Sequence, residues 1–336
     1  MDEQGPKAEA GSERVEAEWH SWTFKFHAEG WELFKLAIVN AFLTVVTLGI
    51  YYFWARTRIR NYVYSQVEFE GDRLAYHGKA TELLFGWLKG VGFLIVTYGI
   101  LFGAAYLLFG FAERYAPLLG LLFYVPILLF FPIAMVGSIR YRLSRTSWRG
   151  IRFSFRGQLG EFYLLCLKGV LLTVITLGLY SPYLVTNIRS YIFNNIWFGT
   201  RSFTFTGTGR DLFWPFIKAI LIGIFTVQIY QFWFQAEKHR YFWSQTTFDQ
   251  ARFRSTRVGL EFMLLWLGNL ALVIFTLGIA VPWVTVRRIR FLTSNLVLEG
   301  PLDLPSIEQD YRDAEATGEQ IGDAFEFDML DMGFGI

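Results

Sequence analysis

The amino-acid sequence predicts a polytopic α-helical membrane protein with about six apolar membrane segments, built from repeats of roughly 50 residues that each end in a β-hairpin. Three observations predict this class. The 336 residues are 53% hydrophobic and only 18% charged, whereas soluble domains carry roughly 25% charged residues. Long stretches of the chain lack charge altogether, and an apolar-to-aromatic-to-basic passage recurs along it. We therefore expect a mainly α protein with small β elements.

The apolar segments are long enough to form membrane helices. Residues 115–139 and 262–286 contain no charged side chain, and about 20 apolar residues cross a bilayer as a helix. Other segments of similar length hold very few charges. The six expected membrane segments are residues 33–55, 83–112, 115–139, 162–188, 212–236 and 262–286.

The chain also repeats itself at a regular interval. The stretch "TVVTLGIYYFWARTRIR" (44–60) recurs in similar form at 173–189 and at 272–290. An acidic residue opens five of the six apolar segments, at Glu32, Glu82, Glu161, Asp211 and Glu261. These positions predict five units, the second of which has one extra membrane segment. The expected units are 32–81, 82–160, 161–210, 211–260 and 261–300.

Each unit predicts the same elements in the same order. The acidic residue favours a helix start, where a carboxylate meets the positive end of the helix dipole. The helix then runs to a "TLG" sequence, where glycine can break it. Aromatic residues typical of the membrane interface follow, and then arginines. Alternating segments around a short turn, as in 65–78, 145–157 and 194–207, predict a β-hairpin.

The sequence allows two arrangements of the hairpins relative to the membrane. If every unit crosses the membrane once, successive hairpins alternate between sides. If the TLG segments are re-entrant, all hairpins lie on the cytoplasmic side and can pair into one sheet, although non-helical backbone at membrane depth must then be covered. The basic flanks of nearly every segment favour the same-side solution.

The charge distribution divides the chain into three domains. Residues 1–21 form an acidic N-terminal tail that we expect to be disordered, and residues 301–336 form an acidic, flexible C-terminal tail. The membrane domain between them, residues 22–300, is basic. A basic membrane body is typical of proteins that contact anionic lipids. The dispersed arginines do not predict nucleic-acid binding.

Polar residues inside the apolar segments are candidates for a functional site. Three lysines lie seven residues after the acidic residue of their unit, and two asparagines lie eight residues after theirs. Such groups are functional hypotheses by default, and here they predict a cavity for an anionic solute or lipid headgroup. The alternative is that the lysines extend to the headgroups and the asparagines bond between helices. The residues are Lys89, Lys168, Lys218, Asn40 and Asn269.

A second set of basic residues follows the aromatic belts and is predicted to bind lipid phosphates. It consists of Arg56, Arg58, Arg60, Arg287, Arg288 and Arg290. Neither catalytic, cofactor nor metal residues are predicted. The four histidines are scattered without zinc-ligand spacing, and the single cysteine, Cys166, lies in an apolar segment. We therefore do not expect an enzyme.

The sequence resembles a known family. The stretch "ELFKLAIVNAFLTVVTLGIYYFWARTRIRNY" (32–62), followed by the hairpin "FEGDRLAYHG" (69–78), resembles the YjgN-like family of bacterial inner-membrane proteins, whose function is unknown. The resemblance covers roughly residues 22–300. Later copies depart from the pattern, because Gln228 replaces the TLG glycine and Ser181 and Pro182 replace aromatics. The resemblance implies a multi-pass protein of the bacterial inner membrane, and it supplies no site residues.

Two functions follow as hypotheses. The first is transport or permeation of a small solute, with anions among the candidates, because repeats, broken helices and polar groups in mid-segment recur in transporters. The alternative is a non-catalytic membrane scaffold or lipid-binding envelope protein. A water-filled cavity reaching the segment lysines would favour transport, and a dry helix layer with an exposed hairpin sheet would favour the scaffold.

Overall fold

The computed structural model describes residues 19–109 and 116–310. Within these ranges a pair of helices is followed by a pair of short strands, and this order occurs repeatedly along the chain. The helices are α1 (Gly30–Val46), α2 (Tyr52–Ser65), α3 (Ala80–Phe109), α4 (Ala116–Ser144), α5 (Leu159–Ile175), α6 (Ser181–Asn194), α7 (Gly209–Phe225), α8 (Gln231–Ser244), α9 (Gly259–Phe275) and α10 (Val281–Ser294).

The strands form one closed antiparallel barrel. They are β1 (His20–Phe26), β2 (Val67–Phe69), β3 (Asp72–Tyr76), β4 (Thr146–Trp148), β5 (Ile151–Phe155), β6 (Ile196–Phe198), β7 (Arg201–Phe205), β8 (Thr246–Phe248), β9 (Ala251–Ser255) and β10 (Leu296–Gly300). Each strand pairs with its neighbours in the chain, and β1 closes the barrel by pairing with both β10 and β2. Closure leaves no exposed strand edge.

Aromatic and leucine side chains fill the barrel in two layers. One layer holds the last residues of the short strands and Leu298, and the other holds their cross-strand partners. Neighbouring rings of the first layer are in contact, with centroids 5.2 Å apart between Phe69 and Trp148 and 5.9 Å between Trp148 and Phe198. The barrel therefore encloses a packed core. The two layers are Phe69, Trp148, Phe198, Phe248 and Leu298, and Phe24, Leu74, Phe153, Phe203 and Phe253.

Four of the helix pairs are hairpins that reverse at the TLG sequence or, between α7 and α8, at the corresponding Thr226, Val227 and Gln228. In the first, Leu48 and Gly49 have φ of 50° and 92°, the left-handed region that continues neither helix. The Thr47 hydroxyl donates to the Leu43 carbonyl (2.8 Å) and accepts from the Tyr51 N–H (2.9 Å). The turns after α5, α7 and α9 have the same geometry.

This reversal shows that the predicted fold class is wrong. The expected protein with six apolar membrane segments is a closed ten-stranded barrel with ten helices in the described ranges. Residues 33–55, 162–188, 212–236 and 262–286 are each divided between two helices by a turn. Two described helices, Ala80–Leu107 and Tyr124–Ser144, are long and apolar enough to cross a membrane.

Tyrosines tie the second helix of a pair to the start of the first. The Tyr191 hydroxyl donates to the Gln158 carbonyl at 2.6 Å, and the Tyr241 hydroxyl donates to Asp211 Oδ2 at 2.6 Å. Tyr62 and Tyr141 make corresponding contacts in the first two pairs. In the last pair the corresponding residue is Phe291, which has no hydroxyl. The base of the last helix pair is therefore held without this tie.

The beginning of the predicted C-terminal tail lies against the barrel. Ile307 is buried in the barrel core, and Leu302 and Leu304 pack on it. Asp310 forms an ion pair with Arg156, 2.7 Å between Oδ2 and Nη2. Residues 301–310 therefore cover one end of the barrel. The rest of both predicted tails, residues 1–18 and 311–336, lies outside the described residues.

Candidate anion site

The last two helix pairs enclose a cavity of about 750 Å³. It lies between α8, α9 and α10 and runs beside α9 as far as Val273. Its lining residues on α9 run from Phe262 to Val273, over which the helix rises about 16 Å, so the cavity is elongated. Its polar lining residues are Gln228, Gln231, Gln235, Lys238, His239, Arg257, Asn269 and Arg288. Its apolar walls include Phe232, Phe262, Trp266 and Phe291.

Three cationic side chains line this cavity, and no carboxylate is among its described lining residues. Arg257 is 2% exposed, and its Nη2 donates to the Leu292 carbonyl at 2.8 Å. Its Nε and Nη1 are buried without a hydrogen-bond partner in the described chain. A buried charged group without a partner costs several kcal/mol. An anion in the cavity would provide the missing acceptor.

The same environment also lowers the pKa of Lys238 and of His239. Burial, followed by the charge of Arg189, lowers the pKa of Lys238 to about 8. Burial and then the neighbouring cations lower the pKa of His239 to about 2, so this ring is neutral at pH 7. Its Nε2 accepts from the indole N–H of Trp243 at 3.0 Å, and its Nδ1 lies 3.3 Å from Ser255 Oγ. The positive charge therefore comes from Lys238, Arg257 and Arg288.

The cavity exists because the end of β9 differs from the ends of three other strands. Strands β3, β5 and β7 end in Tyr76, Phe155 and Phe205, each followed two residues later by glycine. A Cβ on those glycines would lie 2.4–2.6 Å from the aromatic ring or its hydroxyl. Strand β9 ends in Ser255, whose small side chain leaves room for Arg257 at the glycine position.

Comparison with known proteins identifies the family. The chain matches the family described as "Bacterial protein of unknown function (DUF898)" over residues 21–231, 201–256 and 224–324. It belongs to this family. This match and the relatives described next confirm the predicted resemblance to YjgN-like bacterial inner-membrane proteins.

Curated relatives of this DUF898 protein carry the name "Inner membrane protein YjgN". The one from Escherichia coli O157:H7 is 31% identical over 40% of the chain and 31% of its own length. That from Escherichia coli K12 is 30% identical over 43% and 33%, and that from Salmonella typhimurium is 27% identical over 54% and 44%. The aligned part of the chain thus spans 31–44% of the length of these relatives. No solved structure matches.

The structure brings two of the sequence-predicted site residues to the cavity of this DUF898 protein. Asn269 and Arg288 both line it, and the Asn269 amide oxygen is buried without a partner in the described chain. Lys89, Lys168 and Lys218 lie exposed on three different helices and do not line it. Lys218 is beside the Tyr230 ring, 5.9 Å from its centroid.

The remaining predicted residues lie elsewhere. Asn40 is buried between α1 and α2, where its Nδ2 donates to the Ala55 carbonyl at 3.4 Å. Arg58 lines a second cavity of about 610 Å³ beside Lys79 and the start of α3, and it donates to the Tyr51 hydroxyl at 2.8 Å. Arg56 and Arg60 are half-buried on α2. Arg287 and Arg290 are exposed on α10, and Arg290 donates to the Ala28 carbonyl at 2.8 Å.

Sequence reasoning missed Lys238, His239 and Arg257. One signal was available for Arg257, because it stands where glycine follows the strands β3, β5 and β7. Nothing in the pattern of α8 marks Lys238 as an inward-facing residue. Groups of three or more potential metal ligands are absent from the described residues.

Proposed function

We propose that this protein is an integral protein of the bacterial inner membrane that binds a phosphate-type anionic group in the cavity between α8, α9 and α10. The names of the curated relatives support the membrane location. Two helices with the length and composition of membrane spans, Ala80–Leu107 and Tyr124–Ser144, support integral membership. The proposed activity is binding, without catalysis.

The observation that carries the proposal is Arg257. Its guanidinium is buried, two of its nitrogens have no hydrogen-bond partner in the described chain, and it faces a cavity that two other cations line. Burial lowers its pKa to about 9, so it remains charged at pH 7. Guanidinium binds phosphate and carboxylate oxygens through parallel N–H donors. An oxyanion would therefore supply the hydrogen-bond acceptors that the described chain does not provide for Nε and Nη1 of Arg257.

The walls indicate what else the ligand carries. Beyond the cations, the cavity continues beside α9 between Trp266, Leu270 and Val273. A phosphate alone occupies only the cationic end, whereas a phospholipid would place its headgroup there and its acyl chains along the apolar walls. Both sources present the same phosphate oxygens to Arg257 and Lys238.

Binding can be tested on the full chain purified in detergent. Inorganic phosphate and a short-chain phosphatidic acid are titrated separately while thermal unfolding is followed. We expect stabilisation by at least one of them, because a ligand that binds only the folded state raises its stability. In the double variant Lys238→Gln/Arg257→Gln, the ligand-induced rise in Tm should disappear.

The matched control is the double variant Lys168→Gln/Lys218→Gln, which removes the same charge from exposed positions. It should keep the full ligand response. A response to phosphatidic acid alone identifies the lipid, and a response to both identifies phosphate as sufficient. The proposal fails if neither ligand stabilises the wild-type protein, or if the cavity variant responds as strongly as the control.

The geometry supports binding better than permeation. The barrel core consists of contacting aromatic side chains, so passage along the barrel axis would require their displacement. The cavity also lies away from the exposed lysines of the other helices. We therefore do not extend the proposal to transport.

A further inference from the structure

We infer that the four helical hairpins that turn at the TLG sequence, or at its counterpart after α7, insert into one leaflet of the bilayer without crossing it, with their tips in the acyl chains. Each turn presents an apolar residue at its outermost point. Leu48, Leu177 and Leu277 are 92–94% exposed, and Val227 is 85% exposed. Exposure of so much apolar surface to water is unfavourable.

The backbone of each turn forms hydrogen bonds within the chain, as an environment without water requires. In hydrocarbon every N–H and C=O group needs an internal partner. The turn threonine satisfies one carbonyl of the first helix and one N–H of the second. The following Gly49 N–H donates to the Thr44 carbonyl at 2.8 Å, and Gln228 N–H donates to the Gly223 carbonyl at the same distance. The turn therefore carries its own hydrogen bonds.

The length of the uncharged tips fits half a bilayer. Nine residues separate Lys168 from Leu177 and Lys218 from Val227, which corresponds to about 14 Å of helix. The hydrocarbon core is about 30 Å thick. Lysines held at the headgroups thus place both tips near the midplane. A full crossing would need a helix about twice as long.

The distribution of exposed apolar residues favours lipid over a protein partner. On α9, Leu264 and Trp266 are 57% and 48% exposed, and they lie on nearly opposite sides of the helix because successive residues are 100° apart. A helix that is apolar all round is typical of a lipid environment, whereas a protein interface has a polar rim. The same chain also supplies α3 and α4, whose apolar stretches are long enough to cross completely.

Cysteine accessibility tests this arrangement in sealed membrane vesicles of both orientations. In a Cys166→Ala background, single cysteines replace Leu48, Leu177, Val227 or Leu277. A membrane-impermeant maleimide should label none of the four from either side. Asp72→Cys, in a β-hairpin turn, should react from one side only, and Leu107→Cys, at the end of the candidate span in α3, should react from the opposite side.

Depth measurement supplies a second readout. A fluorophore on each tip cysteine should be quenched more strongly by nitroxides placed in mid acyl chain than by nitroxides on the headgroup. Four independent turns keep the test available if one variant does not accumulate. The inference is overturned if a tip cysteine reacts from the Leu107 side, or if it reacts as fast as Asp72→Cys. It is equally overturned if the tips form disulfides between two chains while mid-chain nitroxides leave the fluorescence unchanged.

Discussion

Two buried arginines, Arg189 on α6 and Arg257 between β9 and α9, occupy opposite environments. Arg189 is fully buried against four aromatic rings, with its guanidinium carbon 4.2 Å from the Phe193 centroid and 4.7 Å from that of Phe242. Arg257 contacts a single ring, Phe291 at 5.3 Å, and borders an open cavity. One cation is enclosed by the fold, and the other is left for a ligand.

The difference originates in single residues at the strand ends. Phe205, at the end of β7, is one of the four rings around Arg189, at 5.5 Å. The corresponding residue of β9 is Ser255, which bonds His239 and leaves the adjacent space open. At the end of β7, the aromatic side chain of Phe205 occupies this space. The comparison teaches that one small residue at a strand end can leave an open cavity where another strand end is packed.

The largest expected effect concerns the enclosed arginine. Arg189→Ala should lower the free energy of unfolding by about 3 kcal/mol, because it removes the cation–π contacts and leaves a cavity among buried side chains. The loss should be the same with and without anion. Thermal or denaturant unfolding of the full chain in detergent measures it.

Arg257→Ala is the matched variant at the open site. Without anion we expect little change or a gain in stability, because removal of an uncompensated buried charge relieves its desolvation penalty. With saturating anion the variant should lack the stabilisation seen in the wild-type protein. Equal losses for Arg189→Ala and Arg257→Ala under both conditions would contradict the contrast between the two sites.

An intermediate effect is expected from exchanging the residues that create the cavity. Ser255→Phe alone should destabilise the protein by about 1–3 kcal/mol, since its ring would compete with Arg257 for the same space. Adding Arg257→Gly restores the aromatic–glycine pair found after β5 and β7, and the double variant should regain most of that stability.

A double-mutant cycle of unfolding free energies measures this coupling. The double variant should also lose anion-induced stabilisation, because the cavity is closed and its central cation is gone. Additive effects of the two substitutions would show that Ser255 and Arg257 do not share the space that the structure gives them.

Part of this organisation could be predicted from the sequence. Alternating residues around short turns predicted the β-hairpins, and the TLG glycine indicated a possible break in each apolar segment. Hydropathy alone could not locate the chain reversal, because Leu48 and Leu277 are as apolar as the helices they join while adopting a left-handed φ. Closure of the barrel depends on pairing of His20 with Gly300, a contact too distant in sequence for any local pattern to show.

The site was less predictable, and the reason is geometric. The sequence predicted that lysines inside apolar stretches form the site, but Lys168 and Lys218 lie on the outer surface of the helix layer. Lys238 lies in a strongly polar stretch, "QAEKHR", where sequence alone predicts a solvated helix. Its partial burial follows from the packing of α8 against α9 and β9, which only the closed arrangement of helices and strands defines.

The smallest expected effect is a pH dependence of anion binding that comes from Lys238. Its pKa of about 8 means that its charge is lost between pH 7 and 8.5, whereas His239, with a pKa of about 2, stays neutral throughout. If the charged form binds, the affinity for sulfate, which stays a dianion over this range, should fall about fourfold. Because bound sulfate favours the charged form of Lys238, the pKa of Lys238 in the sulfate complex should lie above 8.

Calorimetric titration of sulfate at several pH values measures this dependence, and two variants isolate its source. Lys238→Arg keeps a charge that does not titrate in this range, so its affinity should be high and nearly constant between pH 7 and 8.5. Lys238→Gln should bind weakly at every pH. Arg257 and Arg288, which line the cavity, and Arg189, whose charge acts on Lys238, are present in all three proteins. If Lys238→Arg lost affinity in parallel with the wild-type protein, the titrating group would be another buried cation, Arg257 or Arg189, because burial lowers the pKa of both.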